Sequence, residues 1–236
     1  MNKTALITGG ARGIGEAITR ALSRDGYTVF IHCNQRADEA NELCAELGNA
    51  EVIKADLSCP EAISLIAEKC PSPDVIVNNA GVALVSLFDM VSEEAMRKMF
   101  EINLFSPINL VRRLLPAMIS RKSGVIINIS SVFGESGGSC EVDYSAAKAA
   151  IIGFTKALAK EVGPAGVRVN CVCPGIIDTD MNDELSFEDV EALCDEIPLS
   201  RMGNADEVAE CVAFLASDKA KYITGSVFDV NGGWNG

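Results

Sequence analysis

Residues 8–15 read TGGARGIG, with Thr8 closing a short apolar run that begins at Thr4 and Ile14 opening a stretch with apolar residues at helical spacing to Asp25. Glycines at 9, 13 and 15 permit positive φ and close backbone approach. The start of the helix that follows offers its first N–H groups to an anion. Three glycines alone could be no more than a tight turn, and their spacing is not GxGxxG. Their place between a first strand and a first helix makes the segment a phosphate cradle, with Gly9, Arg12, Gly13, Ile14 and Gly15 as candidate cofactor contacts.

Beyond the turn the chain alternates β-branched runs with longer helical stretches. Strands are predicted at Thr4–Thr8, Thr28–His32, Glu51–Ala55, Val75–Asn78, Gly124–Ser130, Arg168–Val172 and Ser226–Val230. Helices fill the intervals, among them Ile14–Asp25 and Asp143–Glu161. This pattern predicts an α/β fold: one doubly wound, mostly parallel sheet of about seven strands with helices on both faces. Ligands of such sheets bind at the carboxyl ends of the strands, at the switch point. Thr8, Asn78, Ser130 and Cys173 lie near those ends. A chain of 236 residues with 48% hydrophobic residues is expected to form a single domain over 1–236.

The segment DYSAAKAAIIGF places Tyr144 and Lys148 four residues apart on that long helix, so both face one way. A free phenol has a pKa of about 10, and lowering it by about 3 units takes roughly 4 kcal/mol of preferential phenolate stabilisation. A fixed ammonium supplies such an effect. With Ser131 at the end of the fifth strand, the set forms an acid–base site. Ser131 would hold a carbonyl oxygen, Tyr144 would give it a proton as hydride arrives, and Lys148 would stabilise the phenolate and hold the cofactor ribose. Asn103, in EINLFSP, is a candidate anchor for a water that reprotonates Lys148; singly, it reads as a hydrogen bonder inside a helix.

The net charge of −13 and pI near 4.5 speak against nucleic acid and anionic membranes as partners. The apolar runs are too short and broken for a membrane span. The opening MNKTALITGG enters a strand without a leader pattern, and a cytoplasmic location is expected. Nine cysteines without CxxC pairing read as reduced thiols. His32 reads as structural, and no metal site is expected. Between Arg168 and Arg201 there is no Lys or Arg but nine acids, Asp178, Asp180, Asp183, Glu184, Glu188, Asp189, Glu191, Asp195 and Glu196.

Taken in order, TGGARGIG, Asp56-Leu57, NNAG at Asn78–Gly81, Asn103, Ser131, YxxxK at Tyr144–Lys148, PGIIDTDM at Pro174–Met181 and ITGSVFDVNGG resemble the short-chain dehydrogenase/reductases over essentially the whole chain. The resemblance implies that Asp56 and Leu57 contact the adenine and that Asn79, Ala80 and Gly81 back the cofactor. It also implies that Pro174, Gly175, Ile176 and Thr179 line the nicotinamide end. INLFSPINLVRRLLPAM, RVNCVCPGIIDTDM and ITGSVFDVNGGW are most similar to 3-oxoacyl-[acyl-carrier-protein] reductases. Related alcohol, sugar and steroid dehydrogenases share much of them, so a small ketone or alcohol is the alternative substrate. A non-catalytic cofactor-binding regulator is a third reading.

Cys33 and Asn34 stand where NAD-binding relatives place an acid, while Arg12 and Arg36 could meet a 2′-phosphate. NADP(H) is therefore expected over NAD(H). An acyl-carrier-bound substrate would need basic residues at the mouth, for which Arg121, Lys122 and Arg168 are candidates. An acidic substrate lid at about 178–200 would oppose such a partner. The family resemblance also implies a homotetramer, with the apolar stretches Ile102–Leu115 and Ala149–Leu158 as helix contacts.

Overall fold

The computed structural model describes residues 3–180 and 187–235; residues 181–186 of the expected lid, Met181, Asp183 and Glu184 among them, lie outside the described residues. In chain order the first half runs β1 (Thr4–Ile7), α1 (Gly13–Arg24), β2 (Thr28–Cys33), α2 (Ala37–Leu47), β3 (Ala50–Lys54), α3 (Glu61–Lys69), β4 (Val75–Asn78) and α4 (Glu93–Phe100). The second half continues α5 (Ser106–Arg121), β5 (Gly124–Ile129), α6 (Phe133–Ser136), α7 (Val142–Val162), β6 (Val167–Pro174), β7 (Ile177–Asp178), α8 (Phe187–Glu196), β8 (Gly203–Asn204), α9 (Ala205–Ala216) and β9 (Val227–Val230). Seven of these strands form one parallel sheet in the order β3-β2-β1-β4-β5-β6-β9. All seven expected strands are present, within a few residues of the predicted bounds. The small parallel pair β7–β8 was not expected.

The order reverses at β1. From there the chain winds outward through β2 and β3, returns to β4 on the other side, and continues through β5, β6 and β9. Successive side chains of β1 bury on opposite faces, as a sheet covered on both sides demands. Ala5 and Ile7 join α1, α2 and α9 in one apolar layer, whereas Leu6 joins α3, α5 and the end of α7 in the other. Helix α1 offers Ile14, Ala17, Ile18, Ala21 and Leu22 to its layer at spacings of three and four. Helix α9 starts at a reciprocal cap, with Glu207 accepting from the Asn204 backbone N–H at 2.8 Å.

A polar chain runs through this apolar interior. Asn78 Nδ2 donates to Asn128 Oδ1 (2.7 Å), Asn128 Nδ2 to Thr155 Oγ1 (2.8 Å), and Thr155 Oγ1 to the Ile151 carbonyl (2.9 Å). It joins β4, β5 and α7, and all three side chains are buried. Replacing Asn128 by Leu strands the Asn78 donor and should cost about 2–4 kcal/mol. Urea unfolding of the variant against the parent measures this, and an unchanged midpoint would show that the chain contributes nothing to stability.

Candidate active site

The carboxyl ends of β1 and β4 diverge at the switch point into a cleft of about 480 Å³. Its base is tied across the two strands. Thr8 Oγ1 accepts from the backbone N–H groups of Asn79 and Ala80, both at 3.0 Å. In return Asn79 Nδ2 donates to the carbonyls of Thr8 (3.0 Å) and Gly9 (3.1 Å). The Gly9 N–H donates to His32 Nδ1 at 3.2 Å, and His32 Nε2 lies 3.1 Å from the Ala55 carbonyl. Because Nδ1 accepts, the ring proton sits on Nε2 and the imidazole is neutral. Burial brings the His32 pKa down to about 4, against weaker upward effects from the Ala55 carbonyl and Asp56.

The glycines are sterically required. A Cβ on Gly15 would lie 1.9 Å from the Gly9 carbonyl oxygen, and Gly9 itself has φ +64. Helix α1 begins at Gly13, and Arg12 at its N-cap makes no side-chain capping bond. Its first turn thus faces the cleft with the dipole and donors that suit an anion. A dinucleotide pyrophosphate fits this cradle, and it is the group the turn would hold.

The expected cofactor residues Gly9, Arg12, Gly13, Ile14 and Gly15 line the cleft, as do Asn34, Asp56 and Leu57 on the β2–β3 side. Asn79, Ala80, Gly81, Pro174, Gly175 and Thr179 also line it. Asp56 is held by Ser58, whose N–H and hydroxyl both donate to Oδ1, and its pKa falls accordingly. Ile176 is the exception. It packs with Val132, Ile197 and Trp234 beside a second hollow, and Ile177 lines the main cleft in its place. Ile176 precedes β7, whereas Ile177 is its first residue and borders both hollows. Sequence reasoning also missed Lys98, which belongs to none of the motifs, and Asp180, which lies within PGIIDTDM but is not singled out there as a cleft residue.

Ser131, Tyr144 and Lys148 meet in the same cleft. The first two turns of α7 bring Tyr144 and Lys148 to the end of β5. There Lys148 Nζ donates to the Ile129 carbonyl at 3.0 Å and lies 5.5 Å from the centre of the Tyr144 ring. Ser130 Oγ clamps α7 by donating to the Lys148 carbonyl at 2.8 Å. Burial lowers the Lys148 pKa to about 8, opposed by Cys171 and Cys173. The Tyr144 pKa lies above the ordinary phenol value and not below it. Burial first, and then Glu141, raises it, while a hydrogen bond with Ser131 pulls it down. Desolvation penalises the phenolate more than the Ser131 hydrogen bond recovers.

Asn103 lies between α4 and α5. A π-helical turn at Glu101–Phe105 interrupts the run from α4 to α5 and buries it. Its Oδ1 accepts from the Val82 N–H and its Nδ2 donates to the Val82 carbonyl, both at 2.8 Å. The side chain thus pins the loop after β4. A Cβ on Gly81 would lie 3.3 Å from both Asn103 Oδ1 and Lys148 Nζ, so this loop also packs on the lysine.

The basic residues expected at the mouth lie elsewhere. Arg121 and Lys122 precede β5 and Arg168 sits at the start of β6, at the strand ends opposite the cleft. Arg121 donates to the carbonyls of Ser72, Pro73 and Ser123. Arg168 donates to those of Leu215, Ser217 and Ile223. Both guanidinium groups brace loops. All nine cysteines are free thiols, with Cys33, Cys70, Cys171 and Cys173 buried. Among the described residues, no helix is long and apolar enough to cross a membrane.

The glycine cradle and the Ser131, Tyr144 and Lys148 cluster at one sheet edge agree with a family model, described as enoyl-(acyl carrier protein) reductase, that matches residues 9–235. The chain belongs to the short-chain dehydrogenase/reductase family. Family membership makes it an NAD(P)-dependent oxidoreductase. It is 44% identical over 241 residues to uncharacterized oxidoreductase YmfI of Bacillus subtilis, covering 100% of both chains. It is 38% identical to the 3-oxoacyl-[acyl-carrier-protein] reductase FabG of Staphylococcus epidermidis, covering 99% of both. Among solved structures, a 3-oxoacyl-[acyl-carrier protein] reductase from Brucella melitensis superposes with TM-score 0.93 at 34% identity, over 99% of this chain and 91% of that one. A proposed NAD(P)-dependent gluconate 5-dehydrogenase from Beutenbergia cavernae, with NADP bound at low occupancy, gives 0.94 at 34% identity, over 98% and 96%.

Two outcomes follow from the cradle. Gly15→Ala should abolish measurable cofactor binding while far-UV circular dichroism stays native, because its methyl would collide with the Gly9 carbonyl; retained affinity would show that the turn can shift. His32 has a folded pKa of about 4 against an ordinary 6.5. Its contribution is therefore complete above pH 6.5 and is lost as pH falls towards 4, amounting to about 2 kcal/mol at pH 5. Urea midpoints at pH 7 and pH 5 should converge in His32→Asn relative to the parent.

Proposed function

We propose that this chain is an NADPH-dependent carbonyl reductase acting on 3-oxoacyl thioesters of acyl-carrier protein. The observation that carries the reductase reading is the meeting of Ser131, Tyr144 and Lys148 beside the glycine cradle in one cleft. A reduced nicotinamide, when bound, supplies the hydride and is left with a positive ring. Ser131 orients the substrate carbonyl oxygen, and Tyr144 gives that oxygen its hydroxyl proton as the carbonyl carbon accepts the hydride. Lys148, held by Ile129, stands beside the phenolate that remains and lowers its energy.

The preference for NADPH is supported by Asn34 at the place of an acid and by Arg12 and Arg36 lining the same cleft. The acyl-carrier substrate is supported by relatives that carry that name across nearly their whole length. One observation favours a small ketone, sugar or steroid instead: Arg121 and Arg168 are committed to backbone carbonyls away from the cleft. The helix α8, with Glu188, Asp189 and Glu191, would serve as an acidic lid in either case. A homotetramer in the cytoplasm goes with the family reading, and Phe105, 49% exposed just before α5, suits a helix-face contact.

NADPH oxidation measured with acetoacetyl-acyl-carrier protein, acetoacetyl-CoA and simple ketones tests the substrate. A carrier form that outperforms the CoA form supports the proposal, whereas equal or lower kcat/KM favours the small-molecule reading. Tyr144→Phe should lower kcat by about 10²–10⁴-fold with NADPH affinity retained. An active Tyr144→Phe enzyme would overturn the assigned mechanism.

A further inference from the structure

Arg12 and Arg36 come from different elements, the N-cap of α1 and the residue that precedes α2. They converge on one atom. Asp180 Oδ2 lies 3.7 Å from Arg12 Nη1 and 3.4 Å from Arg36 Nη2, and all three residues line the cofactor cleft. Asp180 reaches this place because Thr179 lies against the glycine turn, its Cγ2 being 3.3 Å from where a Cβ on Gly13 would stand. Two guanidinium groups on a single anionic oxygen form the geometry that a phosphate monoester would take. Arg36 is further held by Glu39 at 3.3 Å, so the subsite already carries carboxylate.

We infer that Asp180 is a specificity-determining residue: its carboxylate holds the anion position between Arg12 and Arg36, and a cofactor 2′-phosphate has to displace it. The inference rests on the NADPH reading proposed above. A dianionic phosphate gains more from two guanidinium groups than a monoanionic carboxylate does, so the exchange runs forward, but with a smaller net gain than two uncommitted arginines would give. NADH carries no group that competes for this position. Asp180 thus narrows the gap between the two cofactors by opposing only the phosphorylated one. About half of each side chain is exposed, so each ion pair is weak and the effect is several-fold.

The test is fluorescence titration of NADPH and NADH, with 2′,5′-ADP and 5′-AMP as competitors, on the parent, Asp180→Asn, Arg12→Ala and Arg36→Ala. Asp180→Asn should tighten NADPH and 2′,5′-ADP by roughly threefold to tenfold at low salt and leave NADH and 5′-AMP unchanged. The gain should shrink as salt is raised, and it should vanish when Asp180→Asn is combined with Arg12→Ala and Arg36→Ala. If the arginine variants selectively lose NADPH while Asp180→Asn is neutral or weakens it, the inference falls and the NADPH reading stands. If the arginine variants lose both cofactors equally, or neither, the phosphate is not read there and both fall.

Discussion

The contact on which the rest of the cleft depends is that between the Gly9 carbonyl and the backbone of Gly15. It is too close to admit a side-chain carbon, and it sets how tightly the chain turns from β1 into α1. That turn fixes where the first donors of α1 point. The same carbonyl accepts from Asn79, and the Gly9 N–H donates to His32, so groups at the ends of β2 and β4 hold this one residue just beyond β1. A phosphate cradle works only if its N–H groups are already aimed before the anion arrives. Here the aiming is done by backbone and buried side chains, with a neutral imidazole where a charged one would repel the donor it must accept from.

The chemical end of the cleft obeys a different balance. Tyr144 and Lys148 share a helix face that points into the protein, and burial acts against the charged form of each, raising one pKa and lowering the other. Their pKa values therefore move apart, the phenol upward and the ammonium downward. Burial keeps the phenol neutral until the carbonyl is in place, and the phenolate then has to be stabilised by its neighbours. Ser131 is the group that already lowers the cost of the phenolate.

Much of this was legible in the sequence. Strands rich in β-branched residues and a glycine turn between the first strand and helix fixed the sheet and its switch point, because those signals are local. Tyr144 and Lys148 were legible for the same reason, being one helical turn apart. The misreadings are about direction. Ile176 and Ile177 are adjacent and alike, and an apolar pair gives no hint of which one borders the main cleft. Arg121 and Arg168 lie near strands that serve the site but at their amino ends; a parallel sheet separates the two ends by the strand length, and charge alone does not say which end a residue occupies. The side-chain partner of Asn103, Val82, is set by a π-helical turn that no residue spacing announces. Asp180 was read as one acid among nine, since its partners are 168 and 144 positions distant along the chain.

The polar chain from Asn78 through Asn128 to Thr155 has a polarity of its own: every donor in it points towards the Ile151 carbonyl of α7. Apolar packing between a helix and a sheet is tolerant of small slips, because one methyl can replace another. A head-to-tail row of amides is not tolerant, since a shift of one residue leaves each donor facing the wrong atom. The row acts as an index mark that gives α7 a single lengthwise setting on the sheet. Ile151 is three residues beyond Lys148, so the mark is read out almost directly at the lysine, and a reacting geometry that needs ångström placement is referred to the middle of the protein and not to its surface.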